Sequence, residues 1–276
     1  MKVHVDGREA YAYTGGKPFD AALPCVVFVH GALNDHSVWT LLARWFAHHG
    51  HGVLAVDLPG HMRSAGPALD SIEAMADWTL ALLDAAGVER AALAGHSMGS
   101  LVALEAAARA PQRVTQLALL ATAAPMAVAQ ALLDLSQADP LSAIERVISY
   151  SFSTLAAKPS YPGPGVWLRG SARGLMRQVL AHQGDAMLYH TDFTACDRYS
   201  GALAAAARVA CPTTLVLARD DQMTPTRAAA QLTQALRAQV STVVAGHQLM
   251  AESPDAVLAA LRSAFAPPHP NDPSPR

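Results

Sequence analysis

The sequence predicts an α/β chain built on a doubly wound, mostly parallel sheet with an inserted helical cap. Three observations predict it. Short β-branched apolar runs alternate with segments of helical periodicity along most of the 276 residues, the rhythm of βαβ units. Most of the strand-like runs are apolar throughout rather than every second residue, as strands covered on both faces must be. The alternation also stops once: from about Met126 to Ala207, helical patterns and loops follow one another with no convincing strand.

Taken in order, the stretch through Tyr13 and Thr14 alternates as an edge hairpin with Asp6-Gly7 as its turn. Cys25–Val29, ending at His30-Gly31, reads as the first buried strand, and a loop from Ala32 to Ser37 follows. From Val38 to His49, Trp39, Leu42, Trp45 and Phe46 recur at helical spacing until Gly50 stops the pattern. Gly52–Asp57 is the second buried strand, closed by Leu58-Pro59-Gly60. A helix from about Ser71 to Ala86, a strand at Ala91–Ala94, a helix from Met98 to about Ala110 and a strand at Leu117–Leu120 continue the series. Beyond the helical stretch come a strand at Thr213–Ala218, a helix from about Pro225 to Ala238, a short strand at Ser241–Val244 and a last helix near Pro254 to Phe265. Residues 1–125 and 208–265 are thus expected to form one core and 126–207 an insertion. The proline-rich stretch 266–276 cannot bury apolar surface and is expected to be disordered.

Composition narrows the function. Hydrophobic residues at 51% and charged residues at 15% suit a globular chain. Twenty Lys and Arg against 22 Asp and Glu leave no basic excess to draw the chain onto nucleic acid. Cys25, Cys196 and Cys211 form no CxxC pair and are read as thiols. With no apolar leader and no apolar run near 20 residues, the expected location is cytoplasmic and no membrane partner is expected.

Chemistry concentrates at Gly95-His96-Ser97-Met98-Gly99, a G-x-S-x-G motif between a predicted strand and a predicted helix. Glycines on either side remove the Cβ atoms that a sharp strand-to-helix turn would crowd, so Ser97 can stand exposed at the carboxyl edge of the sheet. The start of the following helix aims N–H groups and a positive dipole end at the same place. A neutral serine is a weak nucleophile and needs a base, which in turn needs an orienting acid. Among the twelve histidines, His247 follows the last short strand on a carboxyl-edge loop and is the candidate base. The acid is sought at Arg219-Asp220-Asp221, where only one carboxylate can face the histidine. Asp221, four residues before Pro225, is favoured, and Asp220 is left to cap or to pair with Arg219. The oxyanion donors are expected to be the N–H of Met98 and that of Ala32 in the loop after His30-Gly31, with Leu33 the alternative by one residue. His30 and His96 are read as positioning residues.

With these residues assembled, the sequence resembles the α/β-hydrolase superfamily, in particular its capped serine-esterase-like members, over nearly the whole chain up to Phe265. The resemblance rests on His30-Gly31 followed by Trp39, Asp57-Leu58-Pro59-Gly60-His61, Gly95-His96-Ser97-Met98-Gly99, Asp221 with Pro225, and Gly246-His247 followed by Glu252-Ser253-Pro254. One departure is the lack of a second small residue after Gly60-His61, where Met62 stands. The resemblance implies a helical lid between the sixth and seventh core strands, which segment 126–207 fits, and a triad of Ser97, Asp221 and His247. It implies ester hydrolysis through an acyl-enzyme with no metal or organic cofactor, and the aromatic and methionine side chains of the insertion, an apolar set with few fixed charges, suit a short or medium acyl or aryl ester. Serine at the turn argues against the superfamily's dehalogenases and epoxide hydrolases, which use aspartate there. The same motifs would serve an acyltransferase, lactonase, amidase or cofactor-free perhydrolase. A rival of another class is a non-catalytic ligand-binding protein on this scaffold.

Overall fold

The computed structural model describes residues 1–266, so the tail expected to be disordered lies outside the described residues except for Ala266. Strands β1 (Lys2–Val5) and β2 (Arg8–Tyr13) form the opening hairpin. Asp6 and Gly7 between them both take positive φ, 49° and 75°, as the central pair of a type I′ turn requires. β2 lies antiparallel to β4 (Gly52–Val56). The other pairings are parallel: β4 on β3 (Cys25–Val29), β3 on β5 (Ala91–His96), β5 on β6 (Val114–Leu120), β6 on β7 (Thr213–Ala218) and β7 on β8 (Gln239–Val243). The sheet therefore runs β1-β2-β4-β3-β5-β6-β7-β8. Chain order reverses between β3 and β5, and sheets of this kind bind ligands at the carboxyl ends of such a pair.

Every residue of β3 is buried, and successive side chains serve opposite layers: Val27 and Val29 pack under α2 (Ile72–Ala85) and α3 (Met98–Arg109), Val26 and Phe28 under α1 (Thr40–His48) and α11 (Pro254–Ala264). Each such side chain contributes about 1.5–3 kcal/mol of burial. α3 is buried on nearly all sides, which explains why its pattern is apolar almost all round rather than amphipathic. Between β6 and β7 the chain forms α4 (Gln130–Ala138), α5 (Pro140–Ser151), α6 (Leu168–His182), α7 (Leu188–Arg198) and α8 (Ala202–Ala206). Ile144, Ile148, Phe152, Met176 and Tyr189 of this stretch pack with Leu33 and Met62 from the loops after β3 and β4. These helices thus rest on the carboxyl-edge loops of the sheet.

Element boundaries differ from expectation where local chemistry overrides periodicity. The helix expected from Val38 opens as a 3-10 turn at His36–Trp39, capped by Asp35 accepting the Ser37 N–H at 2.8 Å. The helix expected at 225–238 is a 3-10 turn at Thr226–Ala229 followed by α9 (Ala230–Leu236), ended by Arg237 at φ 49°. β6 starts at Val114, three residues before the expected run, because Thr115 and Gln116 mask the apolar pattern. The four residues of α10 (Leu249–Glu252) are too few to show a period. All three thiols are free, and burial pushes Cys25 up to about 12 and Cys211 up to about 11. No helix among the described residues is long and apolar enough to cross a membrane.

Candidate active site

Ser97 occupies the single residue between β5 and α3, at φ 52° and ψ −120°, a backbone conformation that side chains rarely tolerate. Close packing holds it there. A Cβ on Gly95 would strike the main chain of Gly99, and one on Gly99 would strike the carbonyls of Val29 and His30. The Ser97 N–H donates to Leu120 O at 2.9 Å, and its carbonyl accepts from Ser100 N at 2.8 Å. Both glycines of the motif are therefore contact points between β5, α3 and β3, and the strain is offset by the packing around them.

The structure brings Ser97, His247 and Asp221 into one line. His247 Nε2 lies 3.0 Å from Ser97 Oγ, and His247 Nδ1 lies 2.9 Å from Asp221 Oδ2. A carboxylate can only accept, so the Nδ1 proton points to Asp221 and the Nε2 lone pair faces the serine hydroxyl. Asp221 also accepts the N–H groups of Met223 and Thr224, both at 2.8 Å, and the Thr224 hydroxyl at 2.8 Å. Burial alone would raise its carboxyl, but the electrostatic interaction with His247 and these hydrogen bonds outweigh it and hold it below the usual carboxylate value. Asp220 points elsewhere and pairs with Arg219 at the surface, with two contacts of 3.0 Å.

The loop carrying His247 is fastened from several sides. The buried ring of His96 donates from Nε2 to the His247 carbonyl at 2.9 Å. Burial and the neighbouring His247 push His96 down to about 3, so it stays neutral. Glu252 on α10 accepts the Gly246 N–H at 3.1 Å and the Ser153 N–H at 3.3 Å, and Gln248 N donates to Ser151 O at 3.0 Å. Glu252 thus ties the His247 loop to the chain after α5, a role that the sequence signalled only as part of a motif.

Opposite lies the Gly31–Asn34 turn. A Cβ on Gly31 would stand 3.2 Å from Ser97 Cβ, which puts this turn against the serine. The N–H of Leu33 is engaged by Asp192 Oδ2 at 2.8 Å. Among the described residues no acceptor meets the N–H of Ala32, and Met98 opens α3, where an N–H has no acceptor within the helix. The same turn is braced by His30, whose Nδ1 donates to Gly31 O at 2.8 Å while Nε2 accepts from Leu58 N at 3.1 Å. Asp192 went unseen in the sequence reading. The signal was there: on α7, Leu188, Tyr189, Phe193 and Cys196 mark the buried face, and Asp192 is the one acid on it.

Asp35, His36 and Asp57 bring ligand-type atoms within 4.8 Å of one another. Asp57 Oδ1 already takes the His36 ring and N–H at 2.7 and 2.8 Å, Asp57 Oδ2 takes the Arg63 N–H at 3.2 Å and Asp35 Oδ1 takes Ser37, so the cluster reads as a brace for the loop after β4. A cleft of about 310 Å³ opens beside the His247 loop, lined mainly by apolar groups that include Leu42, Phe152, Leu175 and Met250, with Asn34, Ser37, Thr40, Ser171 and Gln248 among its polar members. Of the aromatic and methionine residues on the insertion, Phe152, Met176, Tyr189 and Phe193 are buried, whereas Tyr150, Trp167 and Met187 are exposed.

Comparison with known proteins agrees with this architecture. The family model described as "alpha/beta hydrolase fold" matches residues 24–254. A curated relative, the dihydrolipoyllysine-residue acetyltransferase component of the acetoin cleaving system of Pseudomonas putida, is 43% identical over 100 residues, 36% of this chain but only 26% of that protein's length. Among solved structures, the enol-lactonase from Burkholderia xenovorans LB400 superposes with a TM-score of 0.82 at 21% identity, covering 97% of this chain and 100% of that one. The esterase from Exiguobacterium antarcticum gives a TM-score of 0.78 at 18% identity, covering 95% and 98%.

Proposed function

The chain belongs to the alpha/beta hydrolase fold family, and within it we propose a serine hydrolase that cleaves a carboxylic ester of a small or medium, mainly apolar molecule. The observation that carries this reading is the line Ser97 Oγ, His247 Nε2 and Nδ1, Asp221 Oδ2, with contacts of 3.0 and 2.9 Å, set in a strained turn. In the proposed reaction the Ser97 oxygen bonds to the ester carbonyl carbon while its proton passes to His247 Nε2, and Asp221 steadies the imidazolium. The negative oxygen is received by the N–H groups of Ala32 and Met98. His247 then gives its proton to the departing alkoxide, and a water molecule, activated in the same way, releases the acid.

The helices of residues 126–207 serve as a cap in this reading, supported by their packing on Leu33 and Met62. The mainly apolar side chains of these helices, with few fixed charges, favour an uncharged acyl or alcohol portion. The three free thiols suit a reducing, cytoplasmic setting. The test follows p-nitrophenol release from acetate, butyrate, octanoate and benzoate esters by the natural chain and by Ser97→Ala. The variant should lose about 10⁴-fold or more in kcat/KM. Equal, negligible rates for the two proteins on every ester would remove ester hydrolysis, leaving acyl transfer to be sought with added alcohol, amine or peroxide and ligand binding as the other reading.

A further inference from the structure

The geometry points to Asp192, on α7 of the inserted helices, as a positioning residue that aligns the oxyanion loop by holding the Leu33 N–H and a charged His61 with one carboxylate oxygen. The inference rests on the proposed serine-hydrolase reading for its kinetic consequence, though not for its structural one. Asp192 Oδ2 accepts from Leu33 N at 2.8 Å and lies 3.0 Å from His61 Nε2. Both side chains are at most 1% exposed.

The protonation state of His61 follows from its neighbours. Its Nδ1 lies 3.1 Å from the Pro59 carbonyl, which can only accept, so Nδ1 carries a proton. Its Nε2 faces an oxygen that already takes the Leu33 N–H, so Nε2 carries one as well. His61 is then an imidazolium paired with a carboxylate, and such charge-assisted contacts are the strong ones. Burial works against this charge, and the Asp192 charge and hydrogen bond outweigh it, holding His61 above the ordinary histidine value. The other titratable groups facing the pair are Asp57 after β4, His30 after β3 with its ring 4.8 Å from that of His61, and Tyr189 and Cys196 on α7. His30 is already fixed as neutral by its two hydrogen bonds.

What the carboxylate holds is the peptide between Ala32 and Leu33. Its N–H goes to Asp192, its carbonyl accepts from Asn34 Nδ2 at 2.9 Å, and the turn closes through Asn34 N to Gly31 O at 3.2 Å. Leu33 sits at φ 49°, a left-handed conformation that a leucine keeps only when its surroundings impose it. The adjoining peptide carries the Ala32 N–H. A carboxylate contributed by the segment between β6 and β7 therefore sets the plane next to the proposed oxyanion donor, and the donor is aligned only while that segment is seated.

The test compares Asp192→Ala, Asp192→Asn and the natural chain with p-nitrophenyl butyrate, together with two measurements that need no turnover. Asp192→Ala should lower kcat about 10- to 100-fold, less than outright loss of an oxyanion donor, with KM changed less than about 3-fold. Asp192→Asn can still accept the Leu33 N–H but cannot match the His61 charge, so it should retain more kcat. The natural chain should lose kcat as the pH rises through the raised value of His61, and this alkaline limb should be missing in Asp192→Asn. In imidazole nitrogen spectra at pH 7, His61 should read as doubly protonated in the natural chain and neutral in Asp192→Asn. Exchange of the Leu33 amide should quicken at least about 10-fold in Asp192→Ala. Unchanged kcat in folded variants, or a neutral His61 in the natural chain, overturns the proposal. If Asp192→Ala does not fold, Asp192→Asn carries the decision. If the natural chain hydrolyses no ester, the hydrolase reading fails, and the clamp stands or falls on His61 charge and Leu33 exchange.

Discussion

Ser97 is a polar side chain placed where glycine would be most comfortable, at φ 52° and ψ −120°. The conflict was legible in the sequence because the flanking Gly95 and Gly99 announce a turn with no room for Cβ atoms, and the chain nevertheless puts a hydroxyl at its apex. Two substitutions that remove the hydroxyl separate strain from chemistry. Ser97→Ala keeps a Cβ in the unfavourable region, whereas Ser97→Gly releases it, with part of the gain returned to the greater freedom of the unfolded chain. The glycine variant should therefore be the more stable of the two by about 1 kcal/mol, and neither should hydrolyse esters. Urea unfolding of the two proteins side by side measures the difference, and equal midpoints would mean that the turn stores no strain. The choice between Asp220 and Asp221 rested in the sequence on distance from Pro225. The structure adds the physical reason, since Asp221 turns inward to the Thr224 and His247 donors while Asp220 meets Arg219 at the surface.

At the scale of elements, α3 joins the site to the inserted helices through one buried carboxylate. Glu105 accepts from Tyr199 Oη at 2.7 Å and from Arg109 Nε at 2.8 Å, and Tyr199 follows directly after α7. The Glu105–Arg109 spacing of four was readable as an ordinary surface pair on a helix. Its tertiary partner was not, because nothing in the local pattern says which distant tyrosine arrives. Burial beside Glu105 pushes the Tyr199 phenol well above its ordinary value, so it remains a donor throughout the physiological range. Tyr199→Phe should destabilise the fold by about 1.5–3 kcal/mol, the value of a hydrogen bond to a charged group, and leave kcat on butyrate esters within about twofold, since Arg109 still holds Glu105. Loss of hydrolysis without loss of stability would show instead that α3 transmits this contact to Ser97. Strands and long helices were legible because burial on both faces imposes continuous apolar runs. The 3-10 turns and α10 were not, because each spans a single turn fixed by capping and tertiary contact rather than by periodicity.

Across the whole molecule, the order Ser, acid, His along the chain makes the site legible in the sequence, since strands read as parallel bring their carboxyl ends to one edge. Much of the polar shell around that site escaped: Glu252 and Asn34 act on backbone groups, and a backbone partner leaves no mark in residue types, while Asp192 was marked only as the one acid on the buried face of α7. The same shell predicts how stability follows pH. Burial, reinforced by a neighbouring histidine, pushes His30 down to about 4 and His96 down to about 3. In the unfolded chain both return to about 6.5, so below that value the unfolded state binds protons that the folded state refuses. Their contribution is complete above pH 6.5 and is lost as the pH falls toward 4 and 3. His61, held above the ordinary value by Asp192, has the opposite sign: its contribution is present below 6.5 and fades as the pH rises through its folded value. Asp57 and Asp221, held low by His36 and His247 against the effect of burial, add a loss only at the acid extreme. Stability should therefore peak near neutrality and fall on acidification with a slope approaching about 2.7 kcal/mol per pH unit near pH 5, the uptake of about two protons on unfolding. Urea unfolding at half-unit steps from pH 7 to pH 4.5 gives the slope directly. In His96→Asn it should fall to about half, since one of the two refused protons is gone, whereas a flat profile in the natural chain would mean that both rings already carry their second proton in the folded state.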